Sequence, residues 1–258
     1  LEMTLPSALV AQELGTLIGS KELNVYVQIA SDGTITIYSA NAEMGQGIKT
    51  SLPMIIAEEM GAKWEDVVVL QAPIDSSKFG LQGAGGSTTI PRSFDLMRKM
   101  GASAREMLVG AASESMEVKR QDLQAIDSRV VHISGQSLSF GELAALAVRQ
   151  PVPDPENLSF KDPRSYTIIG TSVGSVDNLV IATGKSQFGI DVDVPDMKYA
   201  SYTRCPRVGG VALSFNEAEI KSLAGIRDAF IVAPDDSAGE ATMSFLKGLA
   251  VLRGGIAI

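Results

Sequence analysis

Between Asn24 and Ala40 the chain alternates apolar and polar positions: Val25, Val27 and Ile29, then Ser31-Asp32-Gly33, then Ile35 and Ile37. A period of two around a glycine-bearing turn predicts a β-hairpin. The period then changes. Leu52, Ile55, Ile56 and Met60 recur at helical spacing, with Thr50 or Ser51 placed to cap the helix, Pro53 in its first turn and Gly61 at its end. Val67 to Gln71 is a short apolar run with the character of a strand. Residues 73–90 are rich in Gly and Ser and predict a loop. From Pro91 to Val118, Phe94, Met97, Ala104, Met107, Leu108 and Ala111 mark one face of a long helix. Val130 to Ile133 and Leu138 predict a second hairpin around Ser134-Gly135. Ser139 and Glu142 have capping-box spacing and open a helix carrying Leu143, Leu146 and Ala147.

Pro151, Pro153, Pro155 and Pro163 cluster, and such density marks a connector between packed units. Beyond it the pattern shortens. Thr167–Ile169, Phe188–Val192, Val211–Phe215 and Ala229–Val232 are strand-like, and Glu217–Leu223 is helix-like. Residues 234–244 are polar and loop-like. Gly255-Ile256-Ala257-Ile258 has the pattern of a strand beginning, and such an apolar edge is expected to need another polypeptide to cover Ile256 and Ile258. The elements together predict an α+β protein with mixed sheet and helices.

Length and composition narrow the classes. The 258 residues suffice for one large or two modest domains, and 45% hydrophobic with 20% charged residues is ordinary for a globular chain. No apolar run reaches the length of a membrane span. Leu1 to Ser20 lacks the basic start and continuous apolar core of an intact signal peptide, and the compartment, cytoplasm or periplasm, stays open. A net charge of −8 argues against nucleic acid as a partner. The single cysteine, Cys205, excludes an internal disulfide and a protein-held iron–sulfur cluster; the single histidine, His132, excludes a His-rich metal site. Neither residue types nor spacing assign a catalytic residue or a metal ligand. Cys205 is expected to be a small buried hydrophobe, Trp64 a packing residue, His132 a structural residue on a strand and Glu58-Glu59 a solvated helix face.

Two glycine-rich turns, each feeding a helix, remain as candidate chemistry. Glu43-Met44-Gly45-Gln46-Gly47 precedes the first long helix, and Gly83-Ala84-Gly85-Gly86-Ser87-Thr88-Thr89 precedes the second. Helix N-termini present free N–H groups and partial positive charge, and glycine lets a ligand approach the backbone. Two such ends facing one site would hold a phosphate without basic side chains, and the Gln46 amide could read a pterin or base edge. The alternative is that the glycines only make tight turns. Two nucleotide motifs fail: a P-loop ending at Gly184-Lys185-Ser186 needs Gly where Leu179 stands, and a dinucleotide fingerprint from Gly45 and Gly47 needs Gly where Thr50 stands.

Several segments in order resemble one family. They are Glu43–Gly47 with Thr50–Met54 and Ala57-Glu58-Glu59; Gly85–Thr88 through Arg92-Ser93; Leu96–Lys99, Gly101-Ala102, Ala104-Arg105 and Met107-Leu108; Ser134-Gly135 and Gly141–Ala144; Lys161-Asp162-Pro163; Ile168–Gly170; and Thr183–Lys185 with Phe188–Asp191. From Asn24 onward the chain resembles the molybdopterin-binding large (beta) subunit of the xanthine dehydrogenase superfamily, of the isoquinoline 1-oxidoreductase and molybdenum-dependent aldehyde dehydrogenase type. The resemblance implies molybdopterin, as the cytosine dinucleotide, carrying Mo, and oxidative hydroxylation of an N-heteroaromatic or aldehyde substrate with water as oxygen source. It implies that Met44, Gly45, Gln46, Gly47, Gly85, Gly86, Ser87 and Thr88 line the cofactor. A [2Fe–2S] cluster is expected only in a partner subunit.

The resemblance also divides the chain into a lead segment (1–23), a molybdenum-cofactor-binding module (24–163), a linker (164–183) and the start of an α/β hammerhead domain (184–258). The family's catalytic glutamate and second glycine-rich loop have no counterpart here, and 235–247 fits the pattern poorly, as an insertion or a divergent junction would. The chain is therefore expected to be the N-terminal part of the molybdenum subunit, inactive until a second chain supplies the remainder. The rival reading is a non-catalytic interaction or assembly protein that kept the fold without the cofactor.

Overall fold

The computed structural model describes residues 19–207, 210–233 and 254–258. The expectations for the lead segment and for the insertion at 235–247 fall largely outside these residues. The chain divides into two compact units, 1–186 and 187–258.

The first unit is built on a four-stranded sheet in the order β1 (Lys21–Asn24), β2 (Val27–Ile29), β3 (Ile35–Ser39), β4 (Val67–Gln71). The predicted hairpin is β2–β3, antiparallel with Val27 opposite Ile37 and Ile29 opposite Ile35. Helix α1 (Ile48–Met60) connects β3 to β4, which pair in parallel from Ile35↔Val67 to Ser39↔Gln71. Parallel neighbours need such a crossover, because a tight turn cannot reverse the chain twice. Val27, Ile29, Ile35 and Ile37 are fully buried, and Leu52, Ile56 and Met60 of α1 close over them.

Helix α3 (Thr89–Met116) packs along α1, and α2 (Ser76–Phe79) is a single turn inside the expected loop. The crossing of α1 and α3 is close at Gly101, where a Cβ would run into the Ile56 carbonyl and the Glu59 Cβ. Helix α4 (Phe140–Ala147) starts with the expected capping box: Ser139 Oγ accepts from Glu142 N at 3.2 Å while Glu142 Oε2 accepts from Ser139 N at 2.7 Å. A second sheet joins β5 (Leu123–Ile126), β6 (Arg129–His132) and β7 (Ser137–Ser139), all antiparallel.

Several expectations need correction. Helix α1 starts at Ile48, because Gly47 turns left-handed (φ 82°) and Glu43 accepts from Lys49 N in the first turn; Thr50, Ser51 and Pro53 therefore lie inside the helix. Thr167–Ile169 forms no strand, since all three N–H groups bond the Glu58 carboxylate instead. Glu58 and Glu59 are not a solvated face but have no exposed surface. Residues 188–192 contain a turn of 3-10 helix with Asp191 bonded back to Phe188 N, and 211–215 is irregular. Cys205 is only partly buried. His132 lies on β6, and Trp64 packs against the core as expected.

In the second unit, β10 (Gly255–Ala257) is the central strand of a three-stranded antiparallel sheet, between β8 (Tyr202–Arg204) and β9 (Phe230–Val232). Its ladder is satisfied on both sides by this chain, so the strand is not the unpaired edge its pattern suggested, and Ile256 and Ile258 are half-buried. Two further helices are short, α5 (Asn178–Ala182) in the first unit and α6 (Glu217–Lys221) in the second.

Candidate functional site at the carboxyl edge of β3 and β4

Because β3 and β4 are parallel neighbours with Ser39 opposite Gln71, both end at one edge of the sheet. Each then leads through a glycine turn into a helix, β3 through 43–47 into α1 and β4 through 85–88 into α3. Crevices outside the carboxyl ends of parallel strands are where such sheets place ligands. Side chains join the two connections. Gln71 Nε2 donates to the carbonyls of Ser39 (2.9 Å) and Asn41 (3.3 Å). Asn41 Nδ2 donates to Gly83 O at 3.0 Å, and Gln82 Nε2 to Ala40 O at 3.1 Å. The stems of the two turns are thus one hydrogen-bonded unit. The Ser39 hydroxyl, buried where β3 ends, has no hydrogen-bond partner among the described residues.

The turns themselves differ. In the first, Glu43 Oε1 accepts from Gly45 N (2.6 Å) and Gly47 N (3.1 Å), and Oε2 accepts from Lys49 N (3.0 Å). Burial pushes the Glu43 carboxyl up, but these N–H groups outweigh it and hold its pKa below the usual carboxylate value. The positive end of α1 already has its anion. Gln46 is likewise turned onto its own loop, accepting from Met44 N (2.6 Å) and donating to Ala42 O (2.9 Å). Met44 projects outward, 70% exposed.

The second turn is open. Gly86 (φ 61°) and Ser87 (φ 56°) both have positive φ, a conformation glycine adopts readily and serine seldom does. Thr88 Oγ1 donates to Gly85 O at 3.0 Å and caps nothing. The first turn of α3 contains no acidic residue and carries exposed Arg92. A Cβ at Gly85 would meet nothing within 4 Å. The N–H groups of Gly45, Gly47 and Lys49 are thus taken up by Glu43, whereas no side chain caps the start of α3. Composition could not separate the two ends; the signal that could have done so is Glu43, an acidic residue placed to fold back on the first turn.

Among the described residues, no group of three or more His, Cys, Asp or Glu is placed to hold a metal ion. No described helix is long and apolar enough to cross a membrane.

Residues 7–188 match the family model of the molybdopterin cofactor-binding domain. The chain is 31% identical over 212 residues to membrane-bound aldehyde dehydrogenase [pyrroloquinoline-quinone] of Gluconacetobacter polyoxogenes, covering 80% of this chain and 27% of that protein. It is 28% identical over 234 residues to a nicotinate dehydrogenase polypeptide of Pseudomonas putida (87% and 20%). It is also 28% identical over 241 residues to the beta chain of isoquinoline 1-oxidoreductase from Brevundimonas diminuta (79% and 31%). The chain thus spans about a fifth to a third of the length of these relatives. Among solved structures it is similar to quinoline 2-oxidoreductase from Pseudomonas putida 86, at 26% identity and a TM-score of 0.39, over 50% of this chain and 17% of that one. The family match covers most of the chain and all of both turns, and the chain belongs to the molybdopterin cofactor-binding domain family of the molybdenum hydroxylases.

Proposed function

We propose that the carboxyl edge of β3 and β4 holds a molybdopterin cofactor between the two glycine turns, and that the chain works as the N-terminal part of a molybdenum hydroxylase subunit. The observation that carries this is topological: two glycine turns, each opening a helix, rise from one edge of a parallel pair and are bonded together at their stems. Gly85, Gly86, Ser87 and Thr88, with the first turn of α3, take the phosphate side, which the cytosine dinucleotide form would extend. Met44, Gly45, Gln46 and Gly47 face the pterin, and Gln46 reads its edge by exchanging the bonds it makes within its loop. When bound, the molybdenum supplies oxidation with water as the oxygen source, on an N-heteroaromatic or aldehyde substrate. The remainder of the subunit supplies the substrate pocket, and a [2Fe–2S] subunit carries the electrons away.

Gly85 is the cleanest probe. Its backbone lies outside the left-handed region and a Cβ there meets nothing within 4 Å. Gly85→Ala should change folding stability by no more than about 0.5 kcal/mol while lowering molybdenum content, because the methyl group enters the ligand's space. Gly47 would be a poorer choice: at φ 82° a β-branched residue is strained whatever it faces. Full molybdenum loading in Gly85→Ala would contradict the assignment. The rival, an assembly protein without cofactor, predicts no molybdenum in the parent protein either.

A further inference from the structure

The proline-rich connector does not leave the first unit but runs back along α1. At the carboxyl half of that helix, Glu58 Oε2 accepts from the N–H groups of Thr167 (2.9 Å), Ile168 (2.7 Å) and Ile169 (3.2 Å), and Oε1 accepts from Lys161 Nζ (2.9 Å). Glu59 accepts from Lys161 N at 3.0 Å and from Arg98 Nε at 2.6 Å. Arg98 also donates to Lys161 O at 3.1 Å and lies 4.6 Å from the Phe160 ring centre. Two turns toward the N-terminus of α1, the Thr50 hydroxyl accepts from Val176 N at 3.0 Å. Beside it, Lys49 Nζ meets Asp177 Oδ1 at 2.8 Å, with side chains only 20% and 22% exposed. Contacts move from Glu58 to Lys49 as the connector moves from 168 to 177, so it is a strap antiparallel to α1 over roughly 12 Å of helix.

The outer end of the strap grips the first turn of α1 from the side opposite in chemistry to Glu43. The Lys49 N–H bonds to the Glu43 carboxylate that shapes the 43–47 loop, while the Lys49 ammonium bonds to the strap. We infer that Lys49 and Asp177 form a latch that positions the 43–47 loop, making both positioning residues for the cofactor. Held at Glu58–Glu59 and again at Thr50–Lys49, the strap fixes the helix along its length, and the latch is the hold nearest the loop. The role in cofactor positioning rests on the function proposed above; the mechanical coupling of strap to loop does not.

The test is hydrogen exchange, read by mass spectrometry on the full chain purified with whatever chains it assembles with, together with molybdenum content. Lys49→Met keeps the stem and removes only the charge, and Asp177→Asn keeps the shape. Each should speed exchange of amides in 43–51 by about two- to five-fold, the scale of a partly screened ion pair. Amides of 101–112 in α3 should be unchanged. Because both changes break the same bond, the double variant should match either single one, and Lys49→Arg should restore slow exchange. Unchanged exchange in 43–51, or effects that multiply in the double variant, would overturn the latch. A loosened loop that keeps its molybdenum as firmly as the parent would overturn the positioning role. A parent protein without molybdenum would instead sink the cofactor reading, and the exchange result would stand apart from it.

Discussion

At Glu58 a carboxylate with no exposed surface accepts from Lys161 and from three successive backbone N–H groups. Burial pushes its pKa up, but Lys161 and the N–H groups of 167–169 outweigh that and hold it below the usual carboxylate value. With the folded value below the unfolded one, its stabilisation is complete above the unfolded pKa and drains away as pH falls through the folded one. Glu58→Gln should therefore lower stability at neutral pH by about 1–3 kcal/mol, since an amide cannot satisfy four donors. It should also show a shallower loss on acidification than the parent. Urea unfolding at neutral pH and at acid pH reads both effects; equal stability and an equal acid slope would contradict this role. The sequence misleads at this residue because paired glutamates are nearly always at the surface. A better cue lies in its neighbours: Ile55, Ile56, Ala57 and Met60 make α1 apolar on all sides, and a carboxylate inside such a helix must be buried and paired.

Elements with a strong period are legible in the sequence and those held by side chains are not. The β2–β3 hairpin, α1, α3, α4 and the β6–β7 hairpin follow directly from alternation, helical spacing or capping. β1 and β5 are short edge strands whose partners lie in sequence-adjacent hairpins, and no period marks them. The strap at 159–177 shows only a misleading strand-like run at Thr167–Ile169, because its order comes from Glu58, Glu59, Thr50 and Lys49 rather than from itself. At the crossing of α1 and α3 the sequence shows only an interior helical glycine, an unfavourable residue there by propensity. The structure supplies the reason, since any side chain at Gly101 meets the Ile56 carbonyl. Gly101→Val should destabilise the first unit by about 1–3 kcal/mol or more through overpacking, against the gain in helix propensity. Denaturant midpoints check this, and a variant as stable as the parent would show that the two helices can separate freely.

For the molecule as a whole, the fold class and the family are both readable from the residues, the family through segments matched in order along the chain rather than through either glycine turn alone. The difference between the turns is not. One helix end is neutralised by Glu43 and the other is open, a distinction set by how a single loop folds back on itself. The terminal strand is also more self-sufficient than its apolar pattern implies, because β8 and β9 flank it from distant parts of the second unit. The chain spans between 20% and 31% of these relatives. Metal and pterin analysis of the protein, purified natively with whatever chains it assembles with, is the most direct test that this chain carries a molybdopterin site. Stoichiometric molybdenum together with a released pterin is the expected result; a folded, intact assembly containing neither, or one containing a quinone in their place, would contradict it.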